Sequence, residues 1–226
     1  AGLLASEAAA RAGAGMVRHL VQEVAHGGPA AIIAQHTREA DDVVNALDDG
    51  RFRAVLAGPG LGRGSVAADR LKAALAAGHP LILDADALVL LAEQGLDAIP
   101  PNSILTPHEG EFVRLFGDLP GSKVERALAA AKRARSTLIY KGSDSVIAAP
   151  DGRAVLSPPG SSWLSTAGTG DVLAGLVAAR LAVTGDGFRA ACEALWLHGE
   201  AARRAGAAFI ADDLLVELPA AIASRL

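Results

Sequence analysis

Arg53-Ala54-Val55-Leu56-Ala57-Gly58-Pro59-Gly60-Leu61-Gly62-Arg63-Gly64-Ser65 is an apolar run, a glycine loop and the opening of an alanine-rich stretch. Apolar residues at consecutive positions predict a strand buried on both faces, and a strand that hands over at once to a helix predicts half of a parallel crossover unit. The same alternation extends in both directions. Strands are predicted over Gly15 to Leu20, Arg53 to Ala57, Pro80 to Asp84, Ser103 to Leu105, Thr137 to Lys141, Ser145 to Ala149 and Arg153 to Leu156. Helices are predicted over Leu3 to Ala12, Ser65 to Ala77, Ala87 to Gln94, Pro107 to Phe116, Lys123 to Arg135, Asp171 to Val183, Phe188 to Ala205 and Asp212 to Arg225. Gly142-Ser143-Asp144 and Pro150-Asp151-Gly152 are turn compositions between the last three strands, so these form an antiparallel meander at one edge. Ser65 is expected to cap its helix, with Gly78 beyond the C-terminus. Thr106-Pro107-His108-Glu109 is expected to form a capping box with proline at the first helical position. The fold class is α/β, with a mostly parallel central sheet, in one domain spanning residues 1–226.

The chain has 226 residues, half of them hydrophobic (51%), enough for one sizeable core and too many for a disordered chain. Twenty-one basic against 25 acidic residues exclude a global positive field for nucleic acid or an anionic membrane. Cys192 is the single cysteine, so there is no internal disulfide and no thiolate metal set; a reducing cytoplasm is the simplest setting. The longest apolar stretch, Val172 to Ala179, is far shorter than the roughly 20 residues of a bilayer span. The chain opens at Ala1 inside a predicted helix and without a Met, which leads to the expectation of a segment ahead of it.

The most informative stretch is Ser165-Thr166-Ala167-Gly168-Thr169-Gly170-Asp171, followed by the apolar Val172 to Ala179. Glycines let the backbone approach a ligand, and the amides of Gly168 to Asp171 would face outward from the first turn of a buried helix, as an anion hole. An acidic residue beside such a hole suits phosphoryl transfer, which needs donors for the migrating charge and a base for the attacking hydroxyl. Asp171 is the candidate base. The same residues also read as a plain helix cap, with Thr169 or Asp171 in that role.

Other segments carry weaker signals. The Gly58 to Gly64 loop suggests phosphate or nucleotide contact, but its spacing is not that of the dinucleotide fingerprint, and a tight crossover needs the same glycines. Asp84 and Asp86 end a buried strand, where open α/β sheets bind ligands; they could hold a hydroxyl or a metal, or Asp86 could cap the next helix. The capping box leaves His108 without a structural duty, so it is either a ligand contact or a solvated side chain. Lys141, before Gly142-Ser143-Asp144-Ser145, is either a point charge for a phosphate or an exposed hairpin lysine.

Taken in order, GPGLG (58–62), DADAL (84–88), TPHEGE (106–111), KGSDS (141–145) and AGTGD (167–171) resemble the carbohydrate-kinase-like domain of the NAD(P)H-hydrate dehydratases, within the ribokinase-like superfamily. The resemblance runs from the small-residue helix at Ala1 to Val17 through to the C-terminal helices. It implies a three-layer αβα fold and a reaction in which NADH or NADPH hydrated on the nicotinamide ring is restored. ADP or ATP serves as co-substrate, ADP going to AMP and phosphate, with Mg²⁺ on the nucleotide phosphates. Carried over by motif, Asp171 contacts the hydrated nicotinamide and Gly170 the nucleotide, beside Gly168 and Thr169. Lys141, Gly142, Ser143, Asp144 and Ser145 line the nucleotide site. Ala1, Gly60, Gly62 and His108 touch the hydrated dinucleotide. No protein metal ligand is implied. The family also suggests a homo-oligomer, a strand and glycine-bearing loop ahead of the first helix, and in some relatives an N-terminal epimerase domain. Where relatives often carry Asn this chain has Pro158-Pro159-Gly160-Ser161-Ser162-Trp163-Leu164, and Ser145 replaces the usual Thr.

Two other functions use the same residue types. A vitamin-precursor kinase of the same superfamily would need the same anion hole and aspartate, and TPHEGE together with GPGLG weighs against it. A non-catalytic nucleotide-binding module would keep the fold alone, against which the intact Asp171, Lys141 and glycine frame stand.

Overall fold

The computed structural model describes residues 1–23 and 28–225. In chain order the elements are α1 (Gly2–Arg11), β1 (Val17–Val21), β2 (Ile32–His36), α2 (Ala40–Leu47), β3 (Val55–Ala57), α3 (Ser65–Ala76), β4 (Leu81–Leu83), α4 (Asp86–Gln94), β5 (Ile104–Leu105), α5 (Glu109–Phe116), α6 (Lys123–Ala134), β6 (Thr137–Tyr140), β7 (Ser145–Ala148), β8 (Ala154–Ser157), α7 (Thr169–Thr184), α8 (Gly187–Ala205) and α9 (Ala211–Ala223). A single 3-10 turn, Ser162–Ser165, precedes α7.

The main sheet runs β3-β4-β5-β6-β7-β8, parallel from β3 to β6 and antiparallel from β6 to β8, as the meander turns predict. Strand alternation divides its residues cleanly between two helical layers. Ile82, Ile104, Ile139 and Ile147 join a core with α1, α7, α8 and α9, while Leu81, Leu83, Leu105, Leu138, Tyr140 and Val146 join a second core with α3, α4, α5 and α6. This is the three-layer αβα arrangement. β1 and β2 form a separate parallel pair beyond β3. A cavity of about 770 Å³ lies between the two sheets, lined from β1 by Val17 and His19, from β3 by Val55 and Ala57, and by α1 and α3.

Several local expectations need correction. β2 and α2 are absent from the sequence prediction: β2 does carry the apolar Ile32-Ile33-Ala34, but it ends in the polar Gln35 and His36 and leaves Ile33 and Ala34 exposed, and α2 has only eight residues. Gly64, not Ser65, caps α3. The capping box of α5 is shifted by two residues: His108 is the cap, with its reciprocal partner at Glu111, and Pro107 lies outside the helix. α7 begins at Thr169, two residues ahead of its predicted start.

Candidate active site

The parallel strands β3, β4, β5 and β6 deliver the ends of four of the motifs to one edge of the sheet, and Asp84 is the hub there. Its residue is 2% exposed. Its Oδ1 accepts from Lys141 Nζ at 2.7 Å and from Thr106 Oγ1 at 2.7 Å, tying the end of β4 to those of β6 and β5. Its N–H donates to the Ala57 carbonyl at 3.1 Å, and Lys141 N–H donates to the Pro107 carbonyl at 2.8 Å. The Gly58 backbone crosses so close over Asp84 that a Cβ at Gly58 would lie 1.7 Å from the Asp84 carbonyl oxygen, and its φ of +134° is one that side chains disfavour. Asp84 is therefore neither a cap nor a free acid. It is the buried counter-charge of a lysine whose side chain is largely covered.

α7 begins just beside this hub. Gly168, at φ +90°, turns the chain into the helix, which is apolar on nearly every face and packs beneath α1 and α8. Val172 N–H donates to the Gly168 carbonyl and Thr169 N–H to that of Thr166, leaving the Gly170 and Asp171 amides without an intrahelical acceptor. The anion hole is thus narrower than the four amides expected from the sequence. A Cβ built on Gly170 would stand 3.9 Å from Lys141 Nζ, so the lysine ammonium and the helix N-terminus face the same space. The Asp171 side chain is 19% exposed and its Oδ2 lies 3.9 Å from the Ala1 nitrogen. Burial pushes its carboxyl up from the ordinary aspartate value, with Asp84 adding to the rise and Lys141 opposing it. A raised but accessible carboxylate is a stronger proton acceptor.

Ala1 and Gly60 are neighbours: a Cβ on Gly60 would be 3.7 Å from that of Ala1, which brings the glycine loop to Asp171. Asp86 fixes the rest of the loop, accepting from Gly62 N–H at 3.0 Å and from Arg63 Nε at 2.6 Å. In the segment from Lys141 to Ser145, Asp144 pairs with Lys123 Nζ at 3.1 Å, and Ser143 gives its carbonyl to Gly160 N–H. A Cβ on Gly142 would run into the Lys123 ammonium. Lys123 thus adds a second lysine to this segment, one that sequence reasoning missed; as the first residue of α6 it gave no signal. Ser145 opens β7. Thr169 is committed internally: its hydroxyl donates to the carbonyls of Leu164 and Thr166 at 2.6 and 2.9 Å. His108 does have the structural duty that the sequence denied it. Its Nδ1 accepts from the Gly110 and Glu111 amides at 3.0 and 3.3 Å, while the side chain remains 60% exposed, with Nε2 3.5 Å from Glu111 Oε1.

His198 on α8 supports the start of α7 from below. Its buried ring donates from Nε2 to the Thr169 carbonyl at 2.9 Å, which fixes the neutral tautomer, and burial pushes its pKa down to about 4. Because the unfolded chain takes up this proton near the ordinary histidine value of about 6.5, stability falls as pH drops from about 6.5 to about 4, by on the order of 3 kcal/mol. Denaturant melts across that range should show a shallower loss of stability for His198→Gln than for the unaltered protein; equal slopes would contradict the assignment.

The family model described as NAD(P)H-hydrate dehydratase matches residues 1–223. The bifunctional NAD(P)H-hydrate repair enzyme Nnr of Mycobacterium leprae is 37% identical over 207 residues, which cover 89% of this chain and 42% of that protein. The chain spans less than half the length of the curated relatives that it matches. Among solved structures, the ADP/ATP-dependent NAD(P)H-hydrate dehydratase from Bacillus subtilis co-crystallized with ATP/Mg²⁺ is 29% identical with a TM-score of 0.82, over 99% of this chain and 84% of that one. A ribokinase-like superfamily protein from Enterococcus faecalis has a TM-score of 0.85 at 24% identity, over 98% and 81%, a likeness of fold.

Proposed function

The chain belongs to the NAD(P)H-hydrate dehydratase family, and from that premise we propose that it returns hydrated NADH or NADPH to the reduced dinucleotide at the expense of ADP or ATP. The observation that carries the reading is the meeting of an accessible, half-buried Asp171 carboxylate, two free amides of α7 and the Lys141 ammonium at one edge of the sheet. Hydroxide is a poor leaving group, so direct loss of the ring hydroxyl is slow. Asp171 takes the hydroxyl proton as the oxygen attacks the terminal phosphoryl group, the bond to the nucleotide's bridging oxygen breaks, and ADP leaves as AMP. The phosphate ester then departs with its C–O electron pair, pushed by the ring nitrogen lone pair. Loss of a proton from the adjacent carbon restores the double bond. The Gly170 and Asp171 amides and Lys141 hold the migrating charge, a task in which fixed donors outperform water.

Lys141 to Ser145, together with Lys123, line the nucleotide side in this reading, and Ala1, Gly60, Gly62 and His108 the dinucleotide side. Thr169, whose hydroxyl is already used, acts through its backbone. Among the described residues no three His, Cys, Asp or Glu side chains converge on one point. A magnesium ion would enter with the nucleotide, and no protein ligand is proposed for it. When bound it neutralises phosphate charge. A homo-oligomer in a reducing cytoplasm belongs to the same proposal, as does the single-domain organisation. No described helix is long and apolar enough to cross a membrane.

Incubation with hydrated NADH and ADP, and separately with ATP, should restore the near-ultraviolet absorbance of reduced nicotinamide with one phosphate released per turnover. Phosphorylation of a hydroxymethylpyrimidine or thiazole alcohol with no such restoration would overturn the proposal in favour of a kinase.

A further inference from the structure

We propose that Asp84 is a positioning residue that pins the Lys141 ammonium against the N-terminal turn of α7, so that the phosphate-facing charge is held in place before a ligand arrives. This rests on the proposed function only for the identity of the reaction. The geometry is specific. Lys141 leaves the end of β6 and is free to swing as any lysine is, yet its ammonium is held at 2.7 Å by a carboxylate that is itself nearly inaccessible. Thr106 Oγ1 donates to that same Oδ1, and the Gly58 loop lies across the Asp84 backbone, so the carboxylate has little freedom to follow the lysine outward. The direction in which Lys141 is held is toward Gly170, the residue immediately before the candidate base.

An ion pair this buried restrains as much as it attracts. Asp84 offsets part of the charge that Lys141 offers to a phosphate, so its contribution is to geometry and not to affinity. Removing the carboxylate while keeping the shape should leave nucleotide affinity intact and slow the chemical step. The charges facing Asp171 are Lys141 from the end of β6 and Asp84 from the end of β4; His198 from α8 reaches only the Thr169 carbonyl and is neutral. Removing the negative charge of Asp84 lowers the Asp171 pKa, both by ending a repulsion and by leaving Lys141 uncompensated.

For Asp84→Asn the expected results are an ADP Kd within about threefold of the unaltered protein by calorimetry and a kcat lowered roughly 10- to 100-fold. The acid limb of kcat/KM moves to lower pH. In the absence of nucleotide, Lys141 is modified by an amine-directed acylating reagent about 10-fold faster, read by mass spectrometry, because the ammonium is no longer held. The labelling arm needs no turnover: faster labelling in a protein that restores no reduced nicotinamide would keep the positioning role and remove the proposed reaction. Unchanged labelling, or ADP affinity lost in parallel with kcat, would overturn the positioning role. Should Asp84→Asn fail to fold, the double variant Asp84→Asn/Lys141→Met leaves no orphaned charge and is compared with Lys141→Met. Equal kcat values for these two are expected, and a further 10-fold loss in the double variant would show that Asp84 acts other than through the lysine.

Discussion

Asp171→Asn is expected to lower kcat for dehydration by roughly 10²- to 10⁴-fold, the range for removal of a positioned general base. The substitution keeps the size and much of the hydrogen bonding of the side chain, and the Gly170 and Asp171 amides are backbone groups that it does not touch. ADP affinity by calorimetry should therefore change little, and the loss should appear in kcat. The Asp171 carboxyl is pushed up chiefly by burial, so the asparagine variant also relieves a cost of burying charge, and its thermal stability should not fall. A variant retaining more than half the activity would remove Asp171 from the chemistry. One losing activity and ADP binding together would make it a ligand contact.

The second large effect is on stability. Gly58→Ala places a methyl group 1.7 Å from the Asp84 carbonyl oxygen and forces a side chain into a φ of +134°. Neither problem can be relieved by rotating a side chain, because the obstacle is backbone. Together they should destabilise the fold by about 3 kcal/mol or more, a drop in Tm of about 6–12 °C for a domain of this size. Activity should fall further than stability does, since the only relief is to move Asp84 and with it Lys141. Gly64→Ala is the control, because nothing lies within 4 Å of a Cβ there and its backbone φ is an ordinary −78°. Equal melting temperatures for the two variants would contradict the close crossing.

The parts of the fold that were legible in the sequence are those whose burial leaves a local mark. Leu81-Ile82-Leu83 and Leu138-Ile139-Tyr140 are apolar at every position because both faces are covered, and β6 to β8 announce themselves by their turns. α2 left no such mark, and β2 was missed although Ile32-Ile33-Ala34 is apolar at each position. Two consecutive β2 residues face outward, and α2 is capped by Glu39 and Asp42, neither of them the Ser or Thr that flags a capping box. The candidate site was legible as a set of motifs but not as a set of contacts. AGTGD located the helix N-terminus because glycine and a following apolar helix are local signals. That Lys141 reaches Asp84 is a pairing 57 residues apart, and nothing in either segment specifies it. His108 illustrates the opposite error. A histidine ring nitrogen can accept from helix amides as Asp or Ser would, and a cap list built on those residues overlooks it.

Base, anion hole and lysine are expected to act on one phosphoryl group. A crystal structure of the protein with ADP and reduced dinucleotide, which has no ring hydroxyl to phosphorylate, tests this directly. The β-phosphate is expected beside Lys141 and the Gly170 and Asp171 amides, with the nicotinamide ring against the Asp171 carboxylate. A structure in which the phosphate lies elsewhere along the sheet edge, or in which Asp171 is turned into the α1–α7 interface, would contradict it.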